Sequence, residues 1–253
     1  MASKEELIER IKQGKSFVKM LVNGGFGTGK TYFSMTFPKW AYAMIEPNGI
    51  QTAITNKPLL ENMVDYEDFA PKADEDIKET FKRLSEYIVR VRKLIAEGRV
   101  ETFILDNLTH LSQARWMYIN KYEKQTAKSG ETDTRAMYGA LSSWLTRFIL
   151  TEVVTLPCHV VVPVHEMDEK DDQGKDTGKI ITNTLGGFRN DAAGFFNASI
   201  HLTCKKEGAG YKYTAQCLPS FSKPAKNNIG LPEIVTDISW TTIKNSIGKA
   251  ITA

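Results

Sequence analysis

Residues 24–31, Gly24-Gly25-Phe26-Gly27-Thr28-Gly29-Lys30-Thr31, combine types suited to holding a chain of phosphates. Glycines let the backbone wind tightly and turn several N–H groups toward one anion. A helix beginning near Gly29 adds its positive end at the same point. Lys30 can reach β- and γ-phosphate oxygens, and the Thr31 hydroxyl is a ligand for Mg²⁺. The spacing is Gly-x-x-x-x-Gly-Lys-Thr. An apolar run (Phe17, Val18, Met20, Leu21, Val22) precedes it, and a helical stretch (Tyr32, Phe33, Met35) follows. That strand–loop–helix context separates a phosphate loop from a glycine-rich turn with a chance lysine. The nucleotide-binding set is therefore Gly24, Gly25, Phe26, Gly27, Thr28, Gly29, Lys30, Thr31 and Tyr32.

Three more residues have the chemistry to complete such a site. Thr-Phe-Ile-Leu-Asp106 is an apolar strand ending in a carboxylate, which would hold the Mg²⁺ shell together with Thr31. Many ring-forming ATPases follow that aspartate with a glutamate that activates water; here Asn107 follows, so a base must come from elsewhere. Glu46, in Ala-Met-Ile-Glu46-Pro-Asn-Gly, is the candidate, and a cap on the Pro47-Asn48-Gly49 turn is its other reading. His165 ends the apolar run Val-Val-Val-Pro-Val and is either a polar catalytic residue or a strand-end histidine with a satisfied hydrogen bond.

The elements that position these residues alternate. Apolar strands over 17–22, 40–46, 102–106 and 158–164 are separated by helical stretches. Residues 74–97 place Ile77, Phe81, Leu84, Ile88, Val91, Leu94 and Ile95 on one helical face. Helices are expected over 108–122 and 137–154, with residues 51–72 unassigned. The continuous apolar run before His165 suits a strand buried on both faces. Residues 168–179 read as a charged hairpin or a flexible loop, 198–206 and 211–220 as two alternating strands, and the tail as a helix. Ser3 and Glu6 form a capping box before Leu7, Ile8 and Ile11, predicting an amphipathic helix over 1–16. The fold expected is α/β: a RecA-like core with a mostly parallel sheet, helices on both faces and a C-terminal antiparallel hairpin, forming a single domain over 17–253. Ligands in such sheets bind at the carboxyl ends of the strands. Thr31, Glu46, Asp106 and His165 all fall at that edge.

Taken together, GGFGTGKT, AMIEPNG, TFILDNLTHL, VVVPVHE and AKNNIGLP, in this order and spacing, resemble the small phage-encoded RecA-core ATPases, nucleotide-binding proteins of the single-strand annealing and recombination group. The resemblance implies ATP and Mg²⁺ as cofactors, Glu46 orienting the attacking water, and His165 sensing the γ-phosphate where RecA itself has glutamine. It also implies single-stranded DNA and a homo-oligomer, ring or filament, as partners, with a single-strand DNA-binding protein as a further one. In the late segment Asn227 and Asn228 stand where the group often has arginine. Lys226 and Arg189 are the candidates for a charge acting on a neighbouring subunit's nucleotide, though surface pairing is the commoner fate of such residues. The rival readings are a helicase loader, a small-molecule kinase, and a nucleotide-dependent binding protein that hardly hydrolyses.

Composition fits this picture. At 253 residues with 42% hydrophobic and 25% charged residues, the chain can bury an ordinary core. A net charge of +3 does not argue for nucleic acid, so local patches must carry that case. Lys121, Lys124, Lys128 and Arg135, beside Tyr122, form one candidate DNA-binding loop. Residues 168–189 carry Lys170, Lys175 and Lys179 among many acids and look solvated. Cys158, Cys204 and Cys217 show no CxxC spacing and read as free thiols of a reducing cytoplasm, in the bacterial host if the chain is phage-encoded. No apolar run is long enough to span a membrane. No guanine-reading Asn-Lys-x-Asp is present, which favours ATP over GTP.

Overall fold

The computed structural model describes residues 3, 17–208 and 210–252, so the helix expected over 1–16 lies, Ser3 aside, outside the described residues. Six parallel strands form the centre of the sheet: β1 (Lys19–Gly24), β2 (Trp40–Met44), β3 (Met63–Asp68), β4 (Thr102–Asp106), β5 (His159–Val164) and β8 (Ala198–Glu207). They lie in the order β8-β1-β5-β4-β2-β3. β9 (Gly210–Gln216) and β11 (Ile234–Thr236) extend the sheet antiparallel beyond β8, and β10 (Lys226–Asn227) pairs with β8. β6 (Glu166–Lys170) and β7 (Asp176–Thr182) form a separate hairpin, the first of the two readings of this segment. The phosphate-loop strand β1 and the acidic strand β4 are thus separated by β5.

Period-two alternation divides the central strands between two apolar layers. Leu21, Ala41, Ala43, Phe103, Leu105, Val160, Val162 and Val164 face one layer with Leu84, Ile88, Leu108, Leu111 and Leu141. These last come from α4 (Ile77–Ala96), α5 (Leu108–Tyr122) and α6 (Thr134–Phe148). Met20, Val22 and Val161 face the other way, toward Phe33, Phe37 and Ile243, which flank or belong to α1 (Lys30–Met35) and α8 (Trp240–Thr252). Trp40, Tyr42 and Ile104 share that second face with Met35. Each such buried Val, Leu, Ile, Phe or Met side chain contributes about 1.5–3 kcal/mol. Both faces of the strands are therefore apolar, and chemistry is confined to their ends.

Two expectations need adjusting. The helix expected from Met137 begins at Thr134, because the Asp133 carboxylate accepts from Ala136 N at 2.9 Å and caps it; the α-helix ends at Phe148 and a π-turn carries the chain to Val153. Residues 51–72 hold two one-turn helices, α2 (Gln51–Ile54) and α3 (Lys57–Leu60), and edge strand β3. That strand is only partly buried, so it lacks the clean alternation that reveals its neighbours.

Gly24, Met44, Asp106 and Val164 are the last residues of β1, β2, β4 and β5. The phosphate loop, Glu46, Asn107 and His165 consequently leave the sheet along one edge.

Candidate active site

The phosphate loop connects β1 to α1, which begins at Lys30. Gly29 has φ +83°, and a side chain there would come 3.2 Å from the Tyr213 ring. At Gly24 a Cβ would approach Thr28 Oγ1 to 2.5 Å and Leu202 O to 2.9 Å. Glycine is needed at both points for conformation or space. Lys30 is buried and donates to Gly24 O at 2.8 Å and Gly25 O at 2.6 Å. Its third contact is His165 Nδ1 at 3.3 Å. Phe26 is 81% exposed, yet its ring lies 4.2 Å from that of His165.

Asp106 is fully buried on the α1 face of the sheet. One carboxylate oxygen, Oδ2, accepts from Thr31 Oγ1 at 2.8 Å and from Tyr42 OH at 3.0 Å. The other, Oδ1, is buried without a hydrogen-bond partner among the described residues. Burial lifts the Asp106 carboxyl to about 6, against the hydrogen bond from Thr31. A buried, unsatisfied carboxylate oxygen beside a hydroxyl is a costly arrangement on its own. It fits a hard divalent cation, which takes oxygen ligands. Thr31 and Asp106 are therefore the residues that would hold Mg²⁺.

A second cluster surrounds Glu46. The Asn107 side chain caps α5, its Oδ1 accepting from His110 N at 2.9 Å. With Oδ1 committed to the helix, Nδ2 faces the carboxylate and donates to Glu46 Oε2. His165 Nε2 lies 3.6 Å from the same oxygen. Both ring nitrogens of His165 face donors, Lys30 Nζ at Nδ1 and Asn107 Nδ2 at 3.1 Å from Nε2, so the ring links the phosphate loop to the Asn107–Glu46 pair. Thr109 Oγ1, in the first turn of α5, accepts from His165 N at 3.0 Å and fixes the backbone. The His165 contact is the main reason the Glu46 carboxyl lies below its ordinary range, outweighing burial. Glu46 is thus a half-buried carboxylate, ionised at neutral pH and able to accept a proton. Its side chain turns to Asn107 and His165, not to the Pro47-Asn48-Gly49 turn. Glu46, His110 and His165 each bring a ligand atom within 4.8 Å of the others. Imidazole donors do not suit Mg²⁺, so this trio is distinct from the Thr31–Asp106 pair.

The structure thus brings together Lys30, Thr31, Glu46, Asp106 and His165. Sequence reasoning missed Tyr42, Asn107 and His110. Asn107 carried a signal: an asparagine immediately before a helical pattern is a capping residue. Tyr42 gave none beyond strand alternation.

The remaining candidates stand apart from this cluster. Arg189 Nε donates to Gly186 O at 3.2 Å, within α7 (Phe188–Asp191) and its approach. Lys226 pairs with Ser199, early in β8, and its Nζ donates to Gly194 O at 3.0 Å. Lys121 pairs with Asp76 at 2.8 Å, and Tyr122 OH donates to the same carboxylate. Lys124, Lys128 and Arg135 have no ion pair among the described residues. Cys158, Cys204 and Cys217 are free thiols. Among the described residues no helix is long and apolar enough to cross a membrane.

A phosphate loop, a strand-end aspartate one strand away and a parallel sheet define a P-loop ATPase with a RecA-like core. Residues 16–229 match the family described as AAA domain, and the chain belongs to that family. No curated protein matches it significantly. Among solved structures it is similar to a KaiC-like protein from the hyperthermophilic archaeon Pyrococcus horikoshii OT3, at 10% identity over 87% of this chain and 89% of that one, with a TM-score of 0.41.

Proposed function

We propose that the protein hydrolyses ATP with Glu46 as the residue that activates water, and that it does so on single-stranded DNA as an oligomer. The observation that carries the first part is the contact chain Lys30–His165–Glu46, with Asn107 holding the carboxylate from a second side. The loop N–H groups and Lys30 receive the triphosphate. Glu46 takes a proton from water as the water oxygen attacks the γ-phosphorus, and the bond to the bridging oxygen breaks to leave ADP and phosphate. Thr31 and Asp106 would hold Mg²⁺, which would supply neutralising positive charge to the triphosphate. Lys30 has to exchange its loop carbonyls for phosphate oxygens, which loosens its hold on His165. His165 thereby reports on the triphosphate to the residue that attacks it.

The DNA and oligomer parts rest on the resemblance to phage recombination ATPases. They are consistent with exposed Lys124 and Lys128 in one loop and exposed Arg135 in the first turn of α6, with Lys121 and Tyr122 at the end of α5. Lys30 is the one cation within the Lys30–His165–Glu46 chain, so a second charge on the γ-phosphate would come from a neighbouring subunit, for which Arg189 and Lys226 are the proposed donors. The free thiols fit a reducing cytoplasm, and a single-strand DNA-binding protein fits as a co-partner. The test is phosphate release with and without a single-stranded oligonucleotide. Stimulation by DNA is expected. A rate indifferent to DNA would contradict the DNA part and favour a helicase-loading role for the same ATPase.

A further inference from the structure

Beside the phosphate loop lies a cavity of about 480 Å³ that neither Lys30, Thr31 nor Asp106 lines. Its walls include Tyr32 and Thr36 from α1 and its C-terminal cap, and Leu202, Tyr213, Asp237 and Ser239 from the antiparallel end of the sheet. The volume is that of an ordinary small-molecule site. No lysine or arginine lines it, so it is not a second seat for phosphate. Tyr32 and Tyr213 are partly exposed rings, and Leu202 adds an apolar wall.

The phosphate loop itself lines part of the cavity through Thr28 and Gly29. The Tyr213 ring sits so close to Gly29 that a Cβ there would meet it at 3.2–3.3 Å. Asp237 N donates to Tyr213 O at 3.0 Å, which holds the two backbones side by side, and both residues line the cavity. Asp237 has φ +50°, a left-handed conformation that turns the chain sharply after β11. The other polar groups nearby are committed. Thr28 donates to Gly25 O at 2.9 Å, and Thr36 donates to Phe33 O at 2.7 Å while accepting from Trp240 N.

We propose that this cavity seats the nucleoside of ATP, with Tyr32 and Tyr213 packing on the purine and Asp237 accepting from its amino group. The inference rests on residues 24–31 binding the triphosphate and adds which base that triphosphate carries. An ionised carboxylate only accepts, so it matches an amino group and opposes a carbonyl at the same position. A purine with a carbonyl in place of the amine leaves both oxygens unpaired.

The experiment is equilibrium binding of three probes: ATP, inosine triphosphate, which exchanges the amine for a carbonyl, and inorganic tripolyphosphate, which has no base. Wild type is expected to bind ATP about ten-fold more tightly than inosine triphosphate. Tyr213→Ala is expected to weaken ATP about ten-fold while leaving tripolyphosphate unchanged, and Tyr213→Phe to restore ATP. Asp237→Asn, which can donate to a carbonyl, is expected to close the gap between the two nucleotides. Tripolyphosphate binding in each variant shows that the loop remains folded. Equal binding of ATP and inosine triphosphate by wild type, or equal losses of ATP and tripolyphosphate in Tyr213→Ala, would overturn the pocket alone. Failure of wild type to bind either ATP or tripolyphosphate would overturn the phosphate-loop reading and the pocket with it.

Discussion

Lys30 and Lys128 are both lysines in polar loops that sequence marks as candidate anion binders. Lys30 is buried against two carbonyls and a ring nitrogen, and the far side of that ring lies 3.6 Å from Glu46. Lys128 stands exposed in a loop held by backbone bonds such as Ala127 N to Glu131 O at 2.8 Å. Burial explains the difference. A buried charge must be paired, so its surroundings are fixed by their own energetics. A solvated charge is screened and leaves its neighbours free. The carboxyl edge of the sheet is therefore a specified device, whereas the loop over 123–133 offers only charge.

The largest effect should come from removing the buried cation. Lys30→Ala takes away the loop's positive charge and the His165 contact together. Hydrolysis should fall at least about a hundred-fold. A phosphate-release assay showing near-normal turnover would contradict the role of the loop.

Asp106→Asn separates stability from activity. The folded pKa, about 6, lies above the ordinary 3.8, so the folded protein holds this proton more tightly than the unfolded chain. The charged form therefore costs stability. That cost sets in above the ordinary value, is complete above about pH 6, and amounts to about 3 kcal/mol. The variant should gain stability in urea at pH 8, lose the gain below pH 4, and fail to hydrolyse ATP. A destabilised variant at pH 8 would show that the buried carboxylate is satisfied in a way the hydrogen bonds do not reveal.

His165→Ala should act through Glu46, not by loss of binding. We expect kcat to fall about ten-fold with KM little changed. The Glu46 carboxyl, released from its main lowering contact, should rise, moving the acid limb of the kcat profile to higher pH. His165→Gln keeps a donor near Glu46 and should recover part of the rate. An unmoved acid limb would break the chain between loop and carboxylate.

The smallest effect belongs to the exposed loop. Replacing Lys124, Lys128 and Arg135 together by Ala should lower the slope of log K against log salt for single-stranded DNA by about 2. An unchanged slope would remove the loop from consideration and deepen the contrast with Lys30.

The same contrast explains what sequence could convey. The phosphate loop was legible because its spacing is set by the anion it cradles, and α4 because Leu84, Ile88 and Val91 repeat at helical period. The alignment of Glu46, Asp106 and His165 followed from strand ends sharing an edge. Tyr42 and His110 were not legible, since their roles depend on which strands and turns become neighbours across the sheet. Tyr213 and Asp237 come from the antiparallel end of the chain, and their approach to Gly29 depends on β9 folding back along β8. Edge strand β3 was missed because partial burial blurs its pattern.

The central claim is that Glu46 activates the water held against the γ-phosphate. It is tested most directly by measuring ATP binding and single-turnover hydrolysis of Glu46→Gln side by side. The side chain keeps its length and can still hydrogen-bond, but it cannot accept a proton. ATP affinity within about two-fold of wild type, with hydrolysis slower by about a hundred-fold or more, is the predicted result. Normal hydrolysis by Glu46→Gln would contradict the account and leave Glu46 a structural neighbour of His165.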